Sequence, residues 1–122
     1  MKKILFIEDE SALQKAVTAV LAEEGFEVRS AVTGEDGLAL AKRDVPDIIL
    51  LDLVLPQKDG FAVLEELKKD PATSRVPVII MSNLESSADV QKALDRGAMT
   101  YLVKMNYKLE DVVEKIRQTL KE

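Results

Sequence analysis

The chain has 122 residues, 22 of them acidic against 17 basic, for a formal charge of -5. That length suits one domain spanning 1–122 with a real core, and 47% hydrophobic residues exclude a disordered chain. The acidic balance argues against direct nucleic-acid binding, and the lack of Cys and His removes disulfides, thiolate metal sites and histidine acid–base chemistry.

Met1-Lys2-Lys3 is followed by an apolar run of only Ile4 to Ile7, which Glu8-Asp9-Glu10 ends, so no secretion signal is read. No apolar run approaches the roughly 18 residues of a membrane span. A soluble, cytoplasmic protein without membrane insertion is expected.

Ile4-Leu5-Phe6-Ile7 reads as a first buried strand. Leu13, Ala16, Val17, Val20 and Leu21 then form one helical stripe, with Ser11 placed to help begin the helix and Gly25 to end it. Phe26 to Ala31 is a second strand, and Arg29 and Ser30 mark it as an exposed edge. Thr33-Gly34 opens a second helix with Leu38 and Ala41 inward, which Pro46 forces to end. Ile48 to Leu51 is unbroken apolar sequence, the signature of a strand buried on both faces. Pro56 and Asp59-Gly60 mark the loop after it, and a third helix follows from about Phe61 to Lys69.

Val78-Ile79-Ile80-Met81 is the fourth strand. A fourth helix starts near Ser87, with a thin stripe of Val90, Ala93 and Leu94 and a stop at Gly97. Thr100 to Val103 is the last strand, and Leu109, Val112, Val113, Ile116 and Leu120 line the last helix. Five strand–helix repeats predict an α/β fold: a three-layer, flavodoxin-like, doubly wound parallel sheet of five strands in the order 2-1-3-4-5, with five helices.

Each central run gives way to a polar residue: Ile7 to Glu8 and Asp9, Leu51 to Asp52, Met81 to Ser82, Val103 to Lys104. In a parallel sheet those ends share one edge, where such folds place ligand chemistry. Three neighbouring carboxylates repel, and a hard divalent cation such as Mg²⁺ relieves them. A lysine and a hydroxyl add a point charge and a donor for further anionic oxygens. The set fits a phosphoryl group on Asp52. Any one residue alone reads more simply, since Asp and Ser are ordinary turn residues and Lys104 an ordinary surface lysine.

The chain resembles a two-component response-regulator receiver domain over residues 2 to 121. The resemblance is carried by Ile4 to Glu10, Asp52-Leu53-Val54-Leu55-Pro56 with Asp59-Gly60, Met81-Ser82, and Gly97-Ala98 with Tyr101-Leu102-Val103-Lys104. It implies Asp52 as phosphoacceptor. Glu8, Asp9, Asp52 and the backbone carbonyl of Val54 become ligands of Mg²⁺ or Mn²⁺. Ser82 and Lys104 become contacts of the phosphoryl oxygens, and Tyr101 an aromatic switch residue. It further implies a sensor histidine kinase or histidine phosphotransfer protein as donor. A downstream effector would be met through the face of the fourth helix, fifth strand and fifth helix. The domain would catalyse its own phosphorylation and slow dephosphorylation without being a conventional enzyme.

Four residues depart from the pattern. Glu8 stands where the family most often has Asp. Met105 follows Lys104 in place of a proline, so either a trans bond with an altered loop or a strained cis bond is expected. Val54 and Asn83 border the path of an attacking water and are expected to tune phosphoryl lifetime. Three competing readings bear on the same residues. The altered loop after Lys104 suits a pseudo-receiver that binds partners without phosphorylation. A phosphatase acting on external substrates wants a second Asp where Val54 stands. A flavodoxin wants an evident phosphate-cradling loop.

Overall fold

The computed structural model describes residues 1–121. Five strands, β1 (Lys3–Ile7), β2 (Glu27–Ala31), β3 (Ile48–Leu51), β4 (Val78–Ser82) and β5 (Thr100–Val103), alternate with five helices. The helices are α1 (Ser11–Glu23), α2 (Gly34–Arg43), α3 (Gly60–Lys69), α4 (Ser87–Asp95) and α5 (Leu109–Leu120). Every strand pair is parallel and the order is β2-β1-β3-β4-β5, as the alternation predicts.

Successive side chains of a strand point to opposite faces, so an unbroken apolar run serves two cores. Ile4 and Phe6, Ile48 and Leu50, and Ile79 and Met81 face α1 and α5, where Val17, Leu21, Val112, Val113 and Ile116 meet them. Leu5 and Ile7, Ile49 and Leu51, and Val78 and Ile80 face α2, α3 and α4, against Leu38, Ala41, Leu64, Leu67 and Ala93. Each fully buried Leu or Ile contributes about 1.5–3 kcal/mol to this packing. β2 lies at a sheet edge, and its Arg29 and Ser30 are exposed as expected.

Local signals account for the helix ends. The Thr33 hydroxyl accepts from Asp36 N at 3.1 Å, and Asp59 Oδ1 accepts from Phe61 N at 2.9 Å, both as N-caps. Gly25 and Gly97 follow α1 and α4 at φ 94° and 106°, a region that favours glycine. α1 begins at Ser11 as expected, with Glu10 in the cap position and no side-chain cap bond. Two expectations need correction. β4 runs one residue further, to Ser82. Leu94 is 39% exposed, so the inward stripe of α4 narrows to buried Ala93 with half-buried Val90. The polar side of α4 makes up the difference: Lys92 lies over the Phe61 ring at 4.2 Å and Arg96 pairs with Glu65, both partners on α3.

Candidate functional site

The carboxyl ends of β1, β3 and β5 bring Glu8, Asp9, Asp52 and Lys104 to one cleft of about 380 Å³, which Glu10, Val54 and Asn83 also line. Register explains the convergence. Ile7 pairs with Leu51 and Ser82 with Val103, so the residues that follow those strands lie along one edge. Asp52 N donates to Ile7 O at 3.0 Å, continuing the ladder one step past β3 and fixing the carboxylate beside β1.

Asp52 is 3% exposed, and its two oxygens are held separately. Oδ1 accepts from Val54 N at 3.1 Å, and Oδ2 accepts from Lys104 Nζ at 3.0 Å. Gly60 lets the following loop fold back tightly, its N donating to Leu53 O at 3.0 Å. A Cβ at position 60 would lie 2.6 Å from Asp52 O, a backbone atom that cannot move aside.

Glu8 is fully buried. Its Oε2 accepts from Glu10 N at 3.0 Å. Its Oε1 is 2.6 Å from Lys104 Nζ, an ion-pair distance, yet no donor is aligned on it in hydrogen-bond geometry. Burial pushes the Glu8 carboxyl up to about 7, with Asp52 adding to the rise and Lys104 and the Glu10 amide opposing it. Burial also works against the Lys104 ammonium, but Glu8 and Asp52 outweigh it and hold its pKa above the usual lysine value. Asp9 is exposed. One ligand oxygen from each of Glu8, Asp9 and Asp52 can be chosen so that all lie within 4.8 Å of one another. Three carboxylates so placed, with a buried oxygen lacking an aligned donor, fit a hard divalent cation.

Ser82 is fully buried at the end of β4, and its Oγ accepts from Leu84 N at 3.3 Å. Tyr101 is half-buried, and its hydroxyl donates to Leu84 O at 2.6 Å. Burial raises the Tyr101 phenol above its usual range. Thus Ser82 and Tyr101 meet through Leu84 in the loop after β4, while Asn83, between Ser82 and Leu84 in the chain, opens on the cleft.

No cis peptide occurs among the described residues, so the Lys104–Met105 bond is trans. Lys104 opens a 3₁₀ turn over Lys104–Asn106, and Met105 is left 82% exposed. Of the two loops expected, this is the trans one, and it still delivers Lys104 to Asp52. Sequence reasoning did not single out Glu10 or Gln14. Glu10 lies 4.0 Å from Lys104 through its side chain, while Gln14 Nε2 donates to Glu8 O at 2.8 Å and to Ala31 O at 3.3 Å. The run of three acids signalled the first; nothing local signals the second.

Fold and site together define an α/β domain with an acidic cleft at the carboxyl edge of its parallel sheet, and comparison makes the class specific. Residues 4–117 match the model of the response regulator receiver domain, and the chain belongs to that family. It is 41% identical over 102 residues to response regulator PleD of Caulobacter vibrioides, covering 84% of this chain and 22% of that protein. It is 37% identical over 121 residues to the DNA-binding dual master transcriptional regulator RpaA of Synechocystis, covering 99% of this chain and 50% of that one. The chain therefore spans half or less of these two relatives. Among solved structures, the CheY-like receiver domain protein of Methanospirillum hungatei is 29% identical with a TM-score of 0.92, over 99% of this chain and 94% of that one. The receiver domain of sensor histidine kinase PA1611 of Pseudomonas aeruginosa, with magnesium in its active site cleft, is 26% identical with a TM-score of 0.90, over 99% and 98%. No helix among the described residues is long and apolar enough to cross a membrane.

Proposed function

We propose that this receiver domain accepts a phosphoryl group on Asp52 from a phosphohistidine of a sensor kinase or phosphotransfer protein. The observation that carries the reading is the buried Asp52 carboxylate at the central strand end, with Lys104 Nζ 3.0 Å from Oδ2 and two further acids beside it. An Asp52 oxygen attacks phosphorus, and the phosphorus–nitrogen bond to the donor imidazole breaks. The bonding pair leaves on that nitrogen, which takes a proton from solvent, and an acyl phosphate remains on Asp52. Glu8, Asp9, Asp52 and the Val54 carbonyl would hold Mg²⁺ or Mn²⁺, which neutralises charge on the phosphoryl oxygens. Lys104 supplies a second positive charge from the β5 side. PA1611's receiver, with magnesium in its cleft, supports the metal assignment by likeness.

The Ser82 hydroxyl turns from Leu84 N to a phosphoryl oxygen, and Tyr101 gives up its bond to Leu84 O. That exchange biases two arrangements of the α4–β5–α5 face, where an effector docks. Val54 and Asn83, both lining the cleft, set the access of hydrolytic water. The domain itself contacts no nucleic acid and works in the cytoplasm. Acetyl phosphate with Mg²⁺, followed by intact-mass measurement, tests the site. One phosphoryl adduct is expected on the wild type and none on Asp52→Ala; an adduct that survives the substitution refutes the assignment.

A further inference from the structure

Lys104 faces two buried acids at once, 2.6 Å from Glu8 Oε1 and 3.0 Å from Asp52 Oδ2. Only the contact with Asp52 is aligned as a hydrogen bond. Glu8 is fixed elsewhere: Oε2 by the Glu10 amide at 3.0 Å, and its main-chain carbonyl by Gln14 Nε2 at 2.8 Å. Its Oε1 is therefore placed on Lys104 by the surrounding backbone, and it is the more weakly tied end of the carboxylate.

The charges do not balance. Glu8, Asp9 and Asp52 share one buried ammonium within the cluster. A divalent cation held by this cluster supplies the missing charge, and two cations close to the same Glu8 carboxylate repel strongly in a half-dry site. Lys104 has somewhere to go, because Asp52 Oδ2 already accepts from it.

Resting on the functional reading above, we propose that Glu8 is a positioning residue that shares Lys104 in the metal-free protein and yields it wholly to Asp52 in the metal-loaded one. Reach is the reason for glutamate. Aspartate at position 8 is one methylene shorter on the same backbone, so its carboxylate falls short of Lys104. In Glu8→Asp, Lys104 rests on Asp52 with or without metal. The order of events follows: in this chain the lysine is free for phosphoryl oxygens only once the cation is bound.

The test follows the lysine directly, in the full chain. Lysine labelled at Cε, with Lys104 assigned through Lys104→Arg, is observed by NMR during Mg²⁺ titration. Broadening of Asp9 and Asp52 by Mn²⁺ reports occupancy of the site independently. The wild-type Lys104 signal is expected to move on saturation. In Glu8→Asp, and in Glu8→Ala as a second variant with no carboxylate to reach with, it starts near the loaded wild-type position and moves several-fold less, while Mn²⁺ broadening persists. A purely structural Glu8 would leave the response of Lys104 unchanged in both variants, which overturns the proposal. So does a wild-type Lys104 signal that stays still while Mn²⁺ broadens Asp9 and Asp52. Absence of broadening overturns the functional reading as well.

Discussion

Lysines at the two ends of the sheet make ion pairs of nearly equal length and unequal consequence. At the amino end, Lys3 Nζ lies 2.7 Å from Asp44 Oδ1, with the two side chains 36% and 45% exposed. At the carboxyl end, Lys104 Nζ lies 2.6 Å from Glu8 and 3.0 Å from Asp52, with Lys104 11% exposed and the acids 0% and 5%. Water screens the first pair and leaves it worth little. The second is cut off from water, so each partner depends on the other to remain charged. Burial, far more than distance, makes one pair a surface ornament and the other a site.

The comparison breaks most visibly if Lys104 is removed. Lys104→Met leaves two buried acids without a cation, and urea denaturation in metal-free buffer should show a loss of about 3–5 kcal/mol. Next comes Gly60→Ala, which drives a Cβ into the backbone around Asp52. It should cost about 1–3 kcal/mol in the same measurement and lower the yield of acetyl-phosphate adduct. A smaller effect, with a definite sign, concerns pH. The folded Glu8 carboxyl is raised from 4.5 to about 7, so the native state binds more protons between those values. Stability of the metal-free protein should therefore fall as pH rises from about 4.5 to about 7. Glu8→Gln should flatten that slope in denaturation curves across the range, and Mg²⁺, which favours the ionised carboxylate, should oppose it. The smallest effect belongs to the amino end. Asp44→Asn should leave the urea midpoint unchanged within error, and a clear loss there would erase the contrast between the ends.

Much of this was legible in the sequence for a definite reason. Runs such as Ile48 to Leu51 can be satisfied only by a strand covered on both faces, and parallel strands put Glu8, Asp9, Asp52 and Lys104 on one edge whatever the loops do. What was not legible depends on side-chain reach across the fold. Gln14 holds the Glu8 carbonyl from α1, and no local pattern announces that bond. The trans turn after Lys104 and the exposure of Leu94 depend on how α5 and α4 settle on the sheet, which the composition of those segments leaves open. The shared tie of Ser82 and Tyr101 to Leu84, away from the cleft, is likewise set by the loop after β4 and announced by no local pattern.

The bond from the Tyr101 phenol to Leu84 O has a practical corollary. The chain holds two tyrosines and no tryptophan, so its absorbance at the tyrosine maximum comes from two phenols in unlike settings. One is bonded to a carbonyl, and the other, Tyr107, stands 42% exposed. Release of Tyr101 would write itself into a difference spectrum without any added dye, and Tyr101→Phe would silence it.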